Sequence, residues 1–317
     1  MTAAGRRLAA VSVDLDPVRC YYEIHGLPAP PAPLADLVLR RGAPRFEKLL
    51  AARGIAATFF VVGADLASPA CRDAVAELAR AGHEIGNHSE RHLYDLQRRD
   101  DATIRDEVAT AHARIAEVSG RSPVGFRAPG YGLGPRLLSA LESQGYRYDS
   151  SVFPSGPYYA AKLAVMSARA LGGEPSGAFV GDPRGLLAPA DPYRPRSGAP
   201  WRRGQSSVIE LPVAVTPGLR LPAIGTLLVT APAAVRARVL ESMRKRAFFN
   251  LELHGLDLCD AEADGLPTDL VARQPDLRRP LKEKVRTLAA TLERLSAEYD
   301  FVPLAEVALR FQREGHV

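Results

Sequence analysis

A parallel α/β barrel is the fold class that the sequence predicts, and three observations carry the prediction. Short β-branched and aromatic runs alternate with amphipathic helical patterns along the chain. The runs are almost continuously apolar, as strands covered on both faces must be. No glycine-rich fingerprint follows any of them, which counts against an open doubly wound sheet.

The strand candidates are, in order, "LAAVSVD" (8–14), "AATFFVVG" (56–63), "HEIGNH" (83–88), "VGFRAP" (124–129), "YRYDSS" (146–151), "SVIELPV" (207–213), "AFFNLELH" (247–254) and "FVPL" (301–304). Each is bounded by Gly, Pro or Asp. Helical patterns fall between them at about 42–53, 70–81, 100–119, 134–144, 231–246 and 280–298. In the 100–119 segment Ile104, Val108, Ala111, Ile115 and Val118 recur at helical steps, and Gly120 supplies the stop. Two stretches break the rhythm: residues 20–41 and the Pro-, Gly- and Arg-rich residues 154–206. Connections of such length usually cover a site, and in a barrel both would sit at the mouth, after the first and fifth strands. The expectation is one catalytic domain spanning 1–317.

Composition excludes several classes. With 46% hydrophobic and 24% charged residues in 317, the chain is an ordinary globular sequence. Its net charge of +5 is dispersed, and the short cluster Arg244–Lys245–Arg246 is too small to argue for nucleic acid. Cys20, Cys71 and Cys259 are an odd set without CxxC spacing, which fits a reducing compartment. No run is long and apolar enough to span a bilayer, and the N-terminus offers no signal-peptide pattern before the first strand, so a cytoplasmic protein is expected. The segment 221–232 with Arg202, Arg203 and Arg220 leaves peripheral membrane contact as a secondary expectation, with core packing the commoner role.

Polar residues gather where strands end. Asp14 and Asp16 follow the first strand, His88 and His92 the third, Arg127 and the turn holding Gly130 and Tyr131 the fourth, and His254 ends the seventh. Catalysis in β/α barrels sits on that rim. One carboxylate with two imidazoles is a common ligand set for a catalytic divalent cation. His88 and His92, four apart, are expected to point the same way on a first helical turn. Such a turn would carry Glu90 away from the ion, so a base must come from the Asp-x-Asp pair: one carboxylate on the ion, the other free to take a proton.

The motifs "SVDLDP", "NHSERH", "FRAPGYG" and "LELHG" resemble, in order across residues 9–311, those of the polysaccharide deacetylase (NodB-homology, carbohydrate esterase 4) family. The resemblance implies a distorted, TIM-like (β/α)7 barrel that hydrolyses an N-acyl bond with a divalent metal. By position, Asp14 resembles the catalytic base, Asp16, His88 and His92 the metal ligands, Arg127 the residue holding the base, and His254 the general acid. The oxyanion donor falls to the backbone N–H of Gly130 or Tyr131, because Gly130 is inserted before the aromatic residue. Leu15 separates two aspartates that are commonly adjacent in the family, as in members acting on less typical amides. Zinc is the expected ion, with cobalt, nickel, manganese and iron compatible with the same donors. Asp149 is the expected carboxylate partner of His254.

The expected substrate is an N-acylated, most simply N-acetylated, amino sugar or conjugate. A cyclic imide or ureide, a lipid-linked sugar carrying a formyl group, and a sugar-binding barrel without turnover are the alternatives. Tyr21, Tyr22, Tyr158, Tyr159, Tyr193 and Trp201 lie in the two long loops, where they would either stack on a sugar ring or anchor the loops. His83 is expected to be a buried hydrogen-bonded residue, and His25 and His112 surface or loop residues.

Overall fold

Among the described residues, 7–171 and 182–313 of a computed structural model, the strands are β1 (Arg7–Asp14), β2 (Thr58–Val61), β3 (Glu84–Asn87), β4 (Gly125–Phe126), β5 (Tyr148–Asp149), β6 (Pro195–Arg196), β7 (Ala199–Arg203), β8 (Ile209–Glu210), β9 (Phe248–His254) and β10 (Tyr299–Phe301). All pairings are parallel except the β6–β7 hairpin. β9 pairs with β1 along residues 8–14. β10 and β2 must therefore share the opposite edge of β1, and they do so at its start and its end. The sheet then curls through β3, β4 and β5 to β8. Between β8 and β9 the seam is stitched by single bonds: Ala214 N–H donates to the Asn250 carbonyl at 3.1 Å, and Asn250 Nδ2 to the Leu211 carbonyl at 3.2 Å. The result is the expected distorted barrel, with seven strands around the ring (β1 to β5, β8 and β9) and β10 an eighth beside the start of β1.

Alternation along the long strands divides two environments. Ala9, Val11 and Val13 of β1 and Phe249, Leu251 and Leu253 of β9 face outward into the main core under the helices. Ala10 and Phe248 face inward with Phe60, Tyr148 and Leu211, and the helix Leu304–Arg313 plugs that lower end with Leu304, Val307 and Ala308. Gly86 and Gly125 make this plug feasible: a Cβ on Gly86 would lie 2.6 Å from the Phe60 ring, and one on Gly125 1.9 Å from Tyr148. Above the plug the inward positions turn polar: Ser12 and Asp14 on β1, Asn250, Glu252 and His254 on β9.

The helices follow the sequence pattern closely. The helix Asp101–Ser119 starts at Asp100, whose carboxylate accepts from Thr103 N–H at 2.8 Å, and stops at Gly120, with φ 72°. It buries Ile104, Val108, Ala111 and Ile115, while Val118 is half-buried. Expected strands 124–129 and 146–151 shrink to two residues each because the chain leaves the ladder to build the site: Arg127 N–H still donates to Asn87, but its carbonyl turns to the His88 ring.

The two long connections are more ordered than expected. Residues 20–41 contain most of the helix Val18–Ile24 and two short turns, Ala32–Leu34 and Val38–Gly42. The second contains the helix Gly156–Leu171, a turn at Pro183–Leu187 and the β6–β7 hairpin, while its residues 172–181 lie outside the described residues. In segment 221–232, Ala223, Ile224, Leu228 and Val229 are buried, so this stretch is core. No helix among the described residues is long and apolar enough to cross a membrane.

Candidate active site

The site begins with a period of two. Asp14 ends β1, Leu15 turns outward into the core, and Asp16 follows on the inner side. The residue between the aspartates thus allows both carboxylates to face the same cavity.

Asp16 Oδ1 lies 3.0 Å from His88 Nε2 and 3.2 Å from His92 Nε2. The His88 Nδ1 lies 2.7 Å from the Arg127 carbonyl, which fixes the proton on Nδ1 and leaves the Nε2 lone pair facing Asp16. The expected helical turn is absent. Ser89 and His92 instead adopt left-handed backbone, φ 64° and 60°. That conformation costs about 1–2 kcal/mol for a non-glycine residue, and it is held by local bonds: Asn87 Oδ1 accepts from Ser89 N–H at 2.8 Å, and Ser89 Oγ from His92 N–H at 3.1 Å. Glu90 does point away, but because it pairs with Arg114 at 3.1 Å rather than through helical phase.

Arg127, fully buried, holds the second aspartate. Its Nη1 donates to Asp14 Oδ1 at 2.6 Å, Nη2 to Ser12 Oγ at 2.9 Å and Ser150 Oγ at 2.8 Å, and Nε to the Ser150 carbonyl at 2.8 Å. Its guanidinium also lies 4.3 Å from the Phe60 ring centre. Burial pushes the Asp14 carboxyl above its ordinary range, and the Arg127 charge opposes that push.

Across the cavity His254 Nδ1 stands 3.0 Å from Glu252 Oε1, which also accepts from the Tyr131 hydroxyl at 3.0 Å. Burial disfavours the imidazolium, yet the Glu252 carboxylate together with the Asp16 and Asp14 charges outweighs it and holds His254 well above the usual histidine range. Burial likewise pushes Glu252 up, and His254, with Arg127 and the Tyr131 hydroxyl, more than reverses it. The His254 N–H donates to Asp257 Oδ2 at 2.9 Å, and its Nε2 lies 4.0 Å from Asp16 Oδ2. The expected partner, Asp149, is instead engaged with Ser151, whose hydroxyl and N–H donate to it at 2.7 and 3.0 Å. It ends β5, which β8 separates from the β9 strand of His254, and it does not support that imidazole. Sequence reasoning missed Glu252, although "LELH" places it two residues before His254 and therefore on the same strand face.

Gly130 and Tyr131 both adopt left-handed backbone, each with φ 65°. The Tyr131 N–H is engaged with the Ala128 carbonyl at 3.2 Å.

Two clusters bring ligand atoms within 4.8 Å of one another: Asp16 with His88 and His92, and Asp14 with Glu252 and His254. The second is held by the Arg127–Asp14 and Glu252–His254 pairs, with Glu252 Oε2 its one atom among those buried without a hydrogen-bond partner. The first is not. Asp16 Oδ1 and both ring nitrogens of His92 are buried without a hydrogen-bond partner. Converging, unsatisfied carboxylate and imidazole donors are the chemistry of a divalent cation site.

Other expectations sort cleanly. His83 is buried, with Nδ1 accepting from Ala57 N–H at 3.0 Å. His25 lies in the turn after the helix Val18–Ile24, buried with Nε2 2.9 Å from Gln274 Oε1, whereas His112 departs from expectation: it sits within the helix Asp101–Ser119, half-buried with Nδ1 3.0 Å from the Tyr146 hydroxyl. Of the loop aromatics, Tyr22 packs in the core, Tyr193 bonds the Pro200 carbonyl at 2.7 Å, and Trp201 carries the Arg184 guanidinium at 3.9 Å. Tyr21 and Tyr158 instead line a cleft of about 450 Å³ that His254 and Tyr131 also border.

Residues 35–148 match the family model described as polysaccharide deacetylase. That stretch holds His88, His92, Arg127, Gly130 and Tyr131. No curated protein matches the chain in sequence. Among solved structures, a candidate polysaccharide deacetylase from Mycobacterium smegmatis superimposes with a TM-score of 0.59 at 17% identity, covering 99% of this chain and 93% of that one. A family 4 acetyl xylan esterase from Clostridium thermocellum, solved in complex with a cobalt ion, overlaps at a TM-score of 0.48 and 18% identity, covering 98% and 92%. At these identities the likeness is one of fold.

Proposed function

Starting from a chain that carries the polysaccharide deacetylase (NodB-homology, carbohydrate esterase 4) signature over residues 35–148, we propose that it is a metal-dependent hydrolase removing an N-acyl group, most simply acetyl, from an amino sugar or sugar conjugate. The observation that carries this reading is the convergence of His88 with the unsatisfied Asp16 Oδ1 and His92 ring nitrogens, between a locked carboxylate and a carboxylate-backed imidazole. A barrel that only binds sugars needs neither of the last two.

Asp16, His88 and His92 would hold the ion, with zinc first among the candidates. When bound, it supplies Lewis acidity, bringing the pKa of water down toward ~7 and polarising the acyl carbonyl. Asp14, on the same side of the cavity, accepts the proton of the attacking water. Its raised affinity for a proton suits a base at neutral pH, and Arg127 keeps it in place. The Gly130 N–H is the favoured oxyanion donor, since that of Tyr131 is engaged with Ala128. His254, kept protonated by Glu252, delivers a proton to the leaving nitrogen. An amine cannot depart as its anion, so this proton is required.

The whole of residues 1–317 is read as one catalytic domain. The three cysteines are buried free thiols, which supports a reducing compartment such as the cytoplasm. The test is incubation of cation-loaded protein with N-acyl amino sugars, following release of acetate or formate. Release that stops on chelation and returns with zinc or cobalt supports the reading. Inertness toward sugar amides together with opening of cyclic imides would transfer the chain to another amidase class.

A further inference from the structure

The cleft bordered by His254 is larger and more apolar than a sugar ring or an acetyl methyl requires. Beside His254 and Tyr131 it is walled by Tyr21, Tyr158, Val165, Ile224, Leu227 and Leu256, in a volume of about 450 Å³. Val165 is 54% exposed although its neighbours in the wall are apolar. None of Asp14, Asp16, His88 or His92 borders the cleft. Its two contacts with the site are His254 and Tyr131, and both share one Glu252 oxygen. The cleft therefore opens at the acid end of the cavity, where the leaving nitrogen must lie to be protonated.

We propose that this cleft seats an apolar arm carried on the amine side of the scissile amide, so that the substrate is an amphiphilic conjugate rather than a bare glycan. The inference rests on the hydrolase reading above for the direction of the reaction. Charge adds a second feature. The Lys162 side chain lines the same cleft, 6.0 Å from the centre of the Tyr158 ring and with no carboxylate partner among the described residues; burial brings its ammonium down to about 8, which leaves it mainly charged at neutral pH. Asp257 and Asp276 also line it, but burial pushes both carboxyls toward their neutral forms, Asp257 up to about 7. Of two arms of equal length, the one bearing an anionic group should therefore bind better.

The experiment uses N-acetylglucosaminides whose aglycone grows from methyl to octyl, with the acyl group held constant, and a matched series with the acyl group lengthened instead. The kcat/KM should rise about threefold to fourfold per methylene in the first series until the cleft is filled, and stay flat or fall in the second. Val165→Asp should flatten the first slope, and Lys162→Met should weaken the preference for an anionic arm, with Arg273 the other cation in the lining. A flat aglycone series with brisk turnover of the methyl compound would overturn the cleft assignment and leave the hydrolase reading intact; a slope in the acyl series would overturn it as well. Should no member be turned over, the corresponding alkyl glucosaminides are titrated by calorimetry. Affinity rising with chain length and lost in Val165→Asp would uphold the cleft while the hydrolase reading fails, and length-independent binding would overturn both.

Discussion

At the base end of the cavity, Arg127 makes four hydrogen bonds and has no exposed surface, whereas at the acid end the His254 side chain leans on one carboxylate and is 22% exposed. The difference matches the roles proposed for the two groups. A base that must stay beside an attacking water is served by a clamp that itself has several partners on β1 and on the segment after β5. An acid that must meet a substrate atom is served by a place on the border of a cleft, tuned by charge more than by packing. Rigidity at one end and access at the other suit a reaction that starts with proton removal from water and finishes with proton delivery to a departing amine.

The sharpest way to break this contrast is to remove the clamp. Arg127→Met leaves Asp14 buried without its cation, and stability should fall by about 3–5 kcal/mol along with most activity; thermal and denaturant melts measure it. A loss below about 1 kcal/mol, the scale of an exposed pair, would mean that the base end is not locked. At the acid end, His254→Ala should lower amide hydrolysis by roughly 10²–10⁴-fold. An ester of a good leaving alcohol should suffer far less, because its leaving group needs no proton. Equal losses on both substrates would remove His254 from the acid role.

Glu252→Gln sharpens the comparison further. His254 acts protonated, so the rate is lost as pH rises through its pKa. Since Glu252 raises that pKa, neutralising it should move the alkaline limb of the pH–rate profile to lower pH, with a fall of about 10–100-fold at neutral pH, the usual scale for a supporting residue. An unmoved limb would reassign the titration. The smallest effect is expected from Tyr131→Phe, which removes one hydroxyl from Glu252. A single net hydrogen bond of about 1 kcal/mol corresponds to roughly fivefold in rate.

Much of this architecture was legible in the residues, and the failures are local. The long strands β1 and β9 announce themselves as apolar runs because they are covered on both faces. β4 and β5 are short since Arg127 and Ser150–Ser151 leave the ladder for the site, a choice made by tertiary contacts. His88 and His92 were found by spacing, yet the helix invoked for them is absent: two left-handed residues supply the same convergence, so a four-residue step specifies proximity and not conformation. Glu252 was readable from strand period, but lay hidden inside an apolar run. The helix Gly156–Leu171 was obscured by the Pro, Gly and Arg content of the wider connection around it.

The central claim is tested most directly by counting bound cations. Equilibrium dialysis against zinc or cobalt, followed by elemental analysis, should give a single divalent ion per folded chain for the wild type, as expected of a three-donor catalytic site. His92→Ala and Asp16→Ala should bind far more weakly while remaining folded. Wild-type protein that takes up no ion, or variants that hold it as tightly, would contradict the account.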